Sequence, residues 1–277
     1  MSEPIPLDAD AVADSVDAVR TGKPLVQHLT NRVTMADVAQ VTLHWGALPV
    51  MADTSGDAEE MVAAAGAVLL NIGTASPTEI ETMLSVGQTA NEQGVPVVLD
   101  PVGAGATPTR QANAERLLST VDFAAIKGNH GEVSALAGVE AEVQGVESIG
   151  EYDSVGETAR ALAASTGAVV VASGVTDVVA DGESAYEIAV GHVRMGQVVG
   201  TGCLLGATVA SFCGAVDDPL AAAAHATLAF GHAGERAAEM DHDGPASYRV
   251  NFLDSVAGTE PAVAAELDLE GRVGRLV

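Results

Sequence analysis

The segment VVGTGCLLGATVASFCG, Val198 to Gly214, sets Gly200, Gly202 and Cys203 at what reads as the first turn of a helix. Glycines there admit a positive φ and let a ligand approach the backbone, while the first helical amides point outward without intrahelical acceptors. Such a turn binds anions, phosphate above all. The same residues serve equally as a tight turn into a closely packed helix, so this loop alone does not decide. Gly200, Gly202 and Gly206 also come within one residue of a dinucleotide fingerprint, but they stand late in the chain, and the stretch at Asp217 and Asp218, where a ribose-binding acid would fall, ends no strand.

Three more polar turns follow apolar runs. LDPVGAGAT puts Asp100 ahead of Pro101, Gly103 and Gly105. A carboxylate so placed either suits magnesium, directly or through water, or closes an Asx-type turn. IKGNHGEV gathers Lys127, Asn129 and Glu132, and Lys127 is one of only two lysines, with Lys23. In a chain that has nearly discarded lysine, one kept here favours phosphate contact over a solvated charge. Glu132 either complements a helix dipole or shares a magnesium ion with Asp100. SGVTD adds the Ser173 hydroxyl and the Gly174 amide. Asn31, Met35, Trp45 and Met51 lie in the N-terminal third, as a pocket or as core.

The two cysteines, Cys203 and Cys213, are ten residues apart. Joined by helix they sit about 15 Å apart, beyond disulfide reach, and no zinc-type cysteine pair occurs. A thiol pKa near 8.5 falls at a helix N-terminus. The thiols are therefore packing groups, reactive groups, or one of each, with Cys213, three turns further along the helix, assigned to the core.

The elements that must hold these turns alternate. Short apolar runs at 24–29, 66–72, 95–100, 121–126 and 168–173 read as strands, with a further pair near 177–190. Helical stretches run Pro77 to Gln93, Thr109 to Ser119 and Ser154 to Thr166, then two alanine-rich helices follow Gly202, the second opened by Asp218 and Pro219. The pattern predicts an α/β fold with a mostly parallel sheet, helices on both faces and an antiparallel edge from the 177–190 pair. With no linker or repeat, residues 1–277 read as one domain. In such sheets ligands bind beyond the strands' carboxyl ends, where all four polar turns fall.

Among 277 residues, 12 Lys+Arg face 38 Asp+Glu, a net charge of −26. Without a basic footprint, nucleic acid is excluded as a partner. The acid is spread along the chain, which suits a cytosol of high salt, where charges are screened within about 3 Å at 1 M. No apolar run is long enough for a membrane span and the N-terminus lacks a signal-peptide core, so a cytoplasmic protein is expected.

Taken in order, PLVQHLTNRVTMADVAQVTLHWGALPVMA, NIGT, PVVLDPVGAGAT, IKGNHGEVSALAG, VVVASG and VVGTGCLLGA resemble the hydroxyethylthiazole kinases, which have a ribokinase-like fold. The resemblance implies ATP-dependent, magnesium-requiring phosphorylation of 4-methyl-5-(2-hydroxyethyl)thiazole on its alcohol, a salvage step toward thiamine. It implies thiazole binding by Asn31 and Met51, with Gly200 at the head of the loop facing the transferred phosphate. ATP falls to Lys127, Asn129, Ser173 and Gly202, and Mg2+ to Asp100 and Glu132. Cys203 is then the catalytic-site residue beside the reacting alcohol. A homotrimer with thiazole pockets between subunits is implied too. Lys127 stands where the family usually has arginine and Ser173 where it usually has threonine. Gln27, Arg32, Ala36 and Gln40 also differ from commoner residues, which bears on fine specificity.

Overall fold

In the computed structural model, residues 5–138 and 151–276 are described, without the side chains of 151–153. Short segments, most of them rich in Val, Leu, Ile and Ala, become the strands of one sheet: β1 (Leu25–Leu29), β2 (Leu48–Val50), β3 (Ala67–Asn71), β4 (Val97–Asp100), β5 (Ala125–Asn129), β6 (Val169–Ser173), β7 (Asp177–Ala180), β8 (Ala185–Ile188) and β9 (Val273–Arg275). The strands run in the order β2-β1-β3-β4-β5-β6-β7-β8-β9. Those from β2 through β6 pair in parallel, and β7, β8 and β9 add antiparallel.

One face of the sheet is covered by α1 (Ala9–Gly22), α2 (Met35–His44), α8 (Thr201–Cys213), α9 (Pro219–Glu239) and α10 (Pro245–Ala257), and the other by α4 (Pro77–Gln93), α5 (Pro108–Leu118), α6 (His130–Leu136) and α7 (Glu151–Thr166). The short helices α3 (Asp57–Met61) and α11 (Pro261–Ala264) complete the set. Because strand side chains alternate, Val26, Leu69, Val98 and Ala125 serve the α8 face while Val68, Leu70, Leu99 and Ile126 serve the α4 face. Each Val, Leu or Ile side chain so buried contributes about 1.5–3 kcal/mol. Both faces being covered explains why the strands read as continuous apolar runs.

Helix α4 spans the predicted Pro77–Gln93: the Ser76 hydroxyl accepts from Glu79 N, the Glu79 carboxylate accepts from Ser76 N, and Gly94 ends the helix in the left-handed conformation. Helix α8 is buried from Leu204 to Cys213 and passes directly beneath β3, β4 and β5. Small residues allow that approach: a Cβ at Gly206 would lie 3.3 Å from Asp100 Oδ2.

Three expectations are corrected. The strand expected over 121–126 is β5, Ala125–Asn129, because Val121 and Phe123 pack into the α4/α5 layer before the chain joins the sheet. Lys127 is therefore inside a strand, not after it. The 177–190 pair does not form the edge, since β9 adds beyond β8. Neither β2 nor β9 was expected: LPV carries a proline and VGR has a single apolar residue. Trp45 is core: fully buried, its Nε1 donates to Thr208 Oγ1 at 2.9 Å and its ring meets Phe212 edge-on.

Candidate active site

Parallel pairing brings the ends of β3, β4, β5 and β6 into one row, so Asn71, Asp100, Lys127 to Asn129 and Ser173 share the carboxyl edge of the sheet. The start of α8 lies against that row. Gly200 caps the helix at φ 89°, and a Cβ there would strike Thr34 Cγ2 at 2.4 Å, so only glycine fits. No side chain caps α8, and the amides of Gly202 and Cys203 face outward for a ligand. The Thr201 hydroxyl donates to Met195 O and Val198 O, which fixes the preceding loop.

At the centre, Asp100 and Lys127 are both buried, with Nζ 3.6 Å from Oδ1. Asp100 Oδ2 accepts from Asn71 Nδ2 at 2.6 Å, whereas Oδ1 has no hydrogen-bond partner. Burial pushes the Asp100 carboxyl up to about 6; Lys127 opposes this and Glu132 adds to it. Burial alone would pull the Lys127 ammonium down, but the Asp100 and Glu132 charges outweigh it and leave it raised. The backbone of Gly202 passes over this ammonium, since a Cβ there would sit 2.9 Å from Nζ.

Glu132 is the third residue of α6, in the first turn as foreseen: with Asn129 it forms a reciprocal cap, Asn129 Oδ1 accepting from Glu132 N and Glu132 Oε2 accepting from Asn129 N. Its Oε1 accepts from Gly103 N at 2.7 Å and so ties down the loop after Asp100. Asn129 thus positions α6 by its side-chain oxygen.

On the far side of Cys203, the Asn31 side chain organises the turn before α2. Its Oδ1 accepts from Val33 N and Thr34 N, and its Nδ2 reaches Thr34 Oγ1, Asn71 Oδ1 and Cys203 Sγ at 2.9, 3.1 and 3.4 Å. The expected lowering of the Cys203 thiol is overturned: burial first, then the Asp100 charge, raise it, outweighing hydrogen bonds from Asn71 and Thr34 and the Lys127 charge. Cys213 is deeper in α8, and burial pushes it up to about 12, as befits core.

A cleft of about 600 Å³ opens between the β6–β7 turn and the start of α8, lined by Ser173, Gly174, Asp177, Gly191, Thr201 and Gly202 among others. Val175 and Val193 stand exposed at its mouth. Ser173 Oγ donates to Gly128 O, and Asp177 Oδ1 accepts from Gly174 N to close the turn. Met51 is apart from this assembly, half-buried just beyond the edge strand β2. Asn71, Thr34 and Asp177 went unassigned in the sequence, though Asn71 carries the same sign as Asp100: a polar residue ending an apolar strand. Among the described residues, no three His, Cys, Asp or Glu side chains cluster as a metal cage.

A helix start without a side-chain cap, a buried carboxylate–ammonium pair and a cleft of about 600 Å³ on one edge suit phosphoryl transfer. A family model described as hydroxyethylthiazole kinase matches residues 16–260. A hydroxyethylthiazole kinase of Haloquadratum walsbyi is 54% identical over 92% of this chain and 89% of its own length. The structure of hydroxyethylthiazole kinase from Pyrococcus horikoshii superposes with a TM-score of 0.86 at 35% identity, covering 95% of this chain and 98% of that one. A ribokinase-like superfamily protein of Enterococcus faecalis superposes at 0.67 and 13% identity, over 95% and 100%, a likeness of fold alone.

Proposed function

The chain belongs to the hydroxyethylthiazole kinase family, and from that premise we propose that it phosphorylates 4-methyl-5-(2-hydroxyethyl)thiazole with ATP, giving the thiazole phosphate and ADP for thiamine salvage. Its fold is ribokinase-like. The observation that carries the reading is the contact of Asn31, on the thiazole side, with Cys203, whose helix start faces the Lys127–Asp100 pair on the nucleotide side.

In the reaction the substrate oxygen bonds to the γ-phosphorus, the bond from phosphorus to the bridging oxygen breaks, and the hydroxyl proton is released. A loose transition state depends on positioning and charge stabilisation more than on a base. The amides of Gly202 and Cys203 orient the phosphoryl oxygens, with Gly200 setting their direction, and Lys127 adds charge beneath them. Ser173 and Asn129 bound the nucleotide side, Asn31 and Met51 the thiazole side. With its pKa raised, the Cys203 thiol shapes the slot beside the alcohol. Magnesium suits the donor set, because Asp100 Oδ1 is a buried carboxylate oxygen with no hydrogen-bond partner and the ion takes one or two carboxylates along with phosphate oxygens. Asp100 and Glu132 would hold it, and when bound it would neutralise charge on the transferred group.

We read residues 1–277 as one catalytic domain working in the cytoplasm as a homotrimer. Exposed Val33, Val199 and Val250, two of them beside the Gly200 turn, support a subunit contact there, and Met51 at the sheet edge would then face a neighbour. No helix among the described residues is long and apolar enough to cross a membrane. The net charge of −26 favours a protein that works in molar salt.

The test is ADP release by purified protein with ATP, magnesium and hydroxyethylthiazole in molar KCl, beside pyridoxal and hydroxymethylpyrimidine. Thiazole-dependent ADP exceeding both alternatives is expected. Its absence overturns the proposal.

A further inference from the structure

Asn71, in the NIGT segment, ends β3 directly opposite Asp100 in the sheet register, and both residues are fully buried. Its amide is engaged at both atoms. Oδ1 accepts from Gly73 N at 3.0 Å and from Asn31 Nδ2 at 3.1 Å, and Nδ2 donates to Asp100 Oδ2 at 2.6 Å. These partners fix which way the amide faces. Flipped, it would set its oxygen against a carboxylate oxygen and its N–H groups against two donors. Asn31, which it holds, donates in turn to the Cys203 sulfur at 3.4 Å. One side chain therefore touches residues on both sides of the transfer point: Asn31 on one, Asp100 on the other.

We infer that Asn71 is a positioning residue for phosphoryl transfer: by holding Asp100 Oδ2 it turns Oδ1 toward Lys127 and the transferred group, and by holding Asn31 it keeps the alcohol in line. The inference rests on the reading that places Asp100 and Asn31 at the transfer site. Asn71 is the hydrogen-bond donor on Oδ2, while Oδ1 has only the 3.6 Å ion pair with Lys127 and no hydrogen bond, so losing Asn71 leaves the carboxylate oriented by that ion pair alone. The substrate groups would still bind, through the α8 amides, Lys127 and the cleft, but their alignment would be lost. Alignment is the part of catalysis most sensitive to small displacements.

The test uses Asn71→Ala and Asn71→Leu, the second of which refills the space and so preserves any purely spacing role. Thiazole-dependent ADP release in molar KCl is measured per folded molecule, with folding followed by near-UV circular dichroism. For both variants kcat should fall on the order of 10²-fold, with KM for ATP and for thiazole each within about threefold of the parent. A parental kcat in Asn71→Leu, or a rise in KM with kcat unchanged, overturns the inference. Asp100→Asn, assayed alongside, separates the two possible failures. If Asp100→Asn is itself unimpaired, the placement of the transfer site is wrong. If it is impaired while either folded Asn71 variant keeps parental kcat, only the role of Asn71 is wrong.

Discussion

Lys127 and Asp100 face each other in the protein interior, Nζ 3.6 Å from Oδ1, with 5% and 0% of their side chains exposed. Neither charge has water to fall back on. Removing one partner of a buried pair leaves the other uncompensated and costs about 3–5 kcal/mol. Lys127→Met should lose stability on that scale in denaturant unfolding at neutral pH. The double variant Lys127→Met/Asp100→Asn should recover part of it, because the stranded carboxylate is gone. A double variant no more stable than the single one would show that the loss is packing and not charge.

Cys203→Ala should keep measurable turnover and bind thiazole as the parent does. The thiol is raised by burial and by the Asp100 charge, so little thiolate exists at neutral pH to take a proton. Removing it should cost less than about tenfold in kcat, short of the 10²–10⁴ associated with a general base. Cys203→Asp, which offers a carboxylate at the same place, should be at least as fast as the parent. Abolished turnover in Cys203→Ala with intact binding would make the thiol the base after all.

Gly200→Ala should impair both folding and activity. The residue has φ 89°, and its new Cβ would meet Thr34 Cγ2 at 2.4 Å, displacing the turn that Asn31 organises. Such strain costs about 1–3 kcal/mol, visible as a lowered Tm. A rise in KM for thiazole should accompany it, since Thr34 bonds directly to Asn31. An unchanged KM alongside a lowered Tm would uncouple the turn from the thiazole side.

How much of this was legible in the sequence depends on which physical signal each residue carried. The strands β1, β3, β4 and β6 are apolar because both sheet faces are covered, so their runs stood out. Helix α4 carried its caps in its sequence as Ser76, Pro77, Glu79 and Gly94. Val121 and Phe123 misled because burial against α4 and α5 has no period that separates it from a strand. Asp100, Lys127, Glu132 and Cys203 could be picked out by type and place. Their pairing could not: that Lys127 faces Asp100, that Glu132 reaches back to Gly103, and that Asn71 bridges two sides all depend on register between strands. The Cys203 shift escaped the sequence because a helix dipole is a local signal, while the burial that opposes it comes from tertiary packing and the opposing Asp100 charge from β4, about a hundred residues earlier.

Asp177 provides a prediction about pH. Its carboxyl closes the β6–β7 turn by accepting from Gly174 N and faces the cleft beside Ser173. Burial pushes it from 3.8 up to about 7, against the pull of the Gly174 hydrogen bond and the Lys127 charge. A group raised in the folded state contributes stability that is fully present below its unfolded value, near pH 4. That stability is lost as pH rises through the folded value, near pH 7. Asp177→Asn keeps an oxygen for Gly174 N and never ionises. Its Tm relative to the parent should therefore climb steadily between about pH 4 and pH 7 and level off above, in molar KCl throughout. The other titrating groups are common to both proteins and cancel in the difference. A flat difference across that window would mean that Asp177 ionises near its ordinary value, solvated by the cleft it lines.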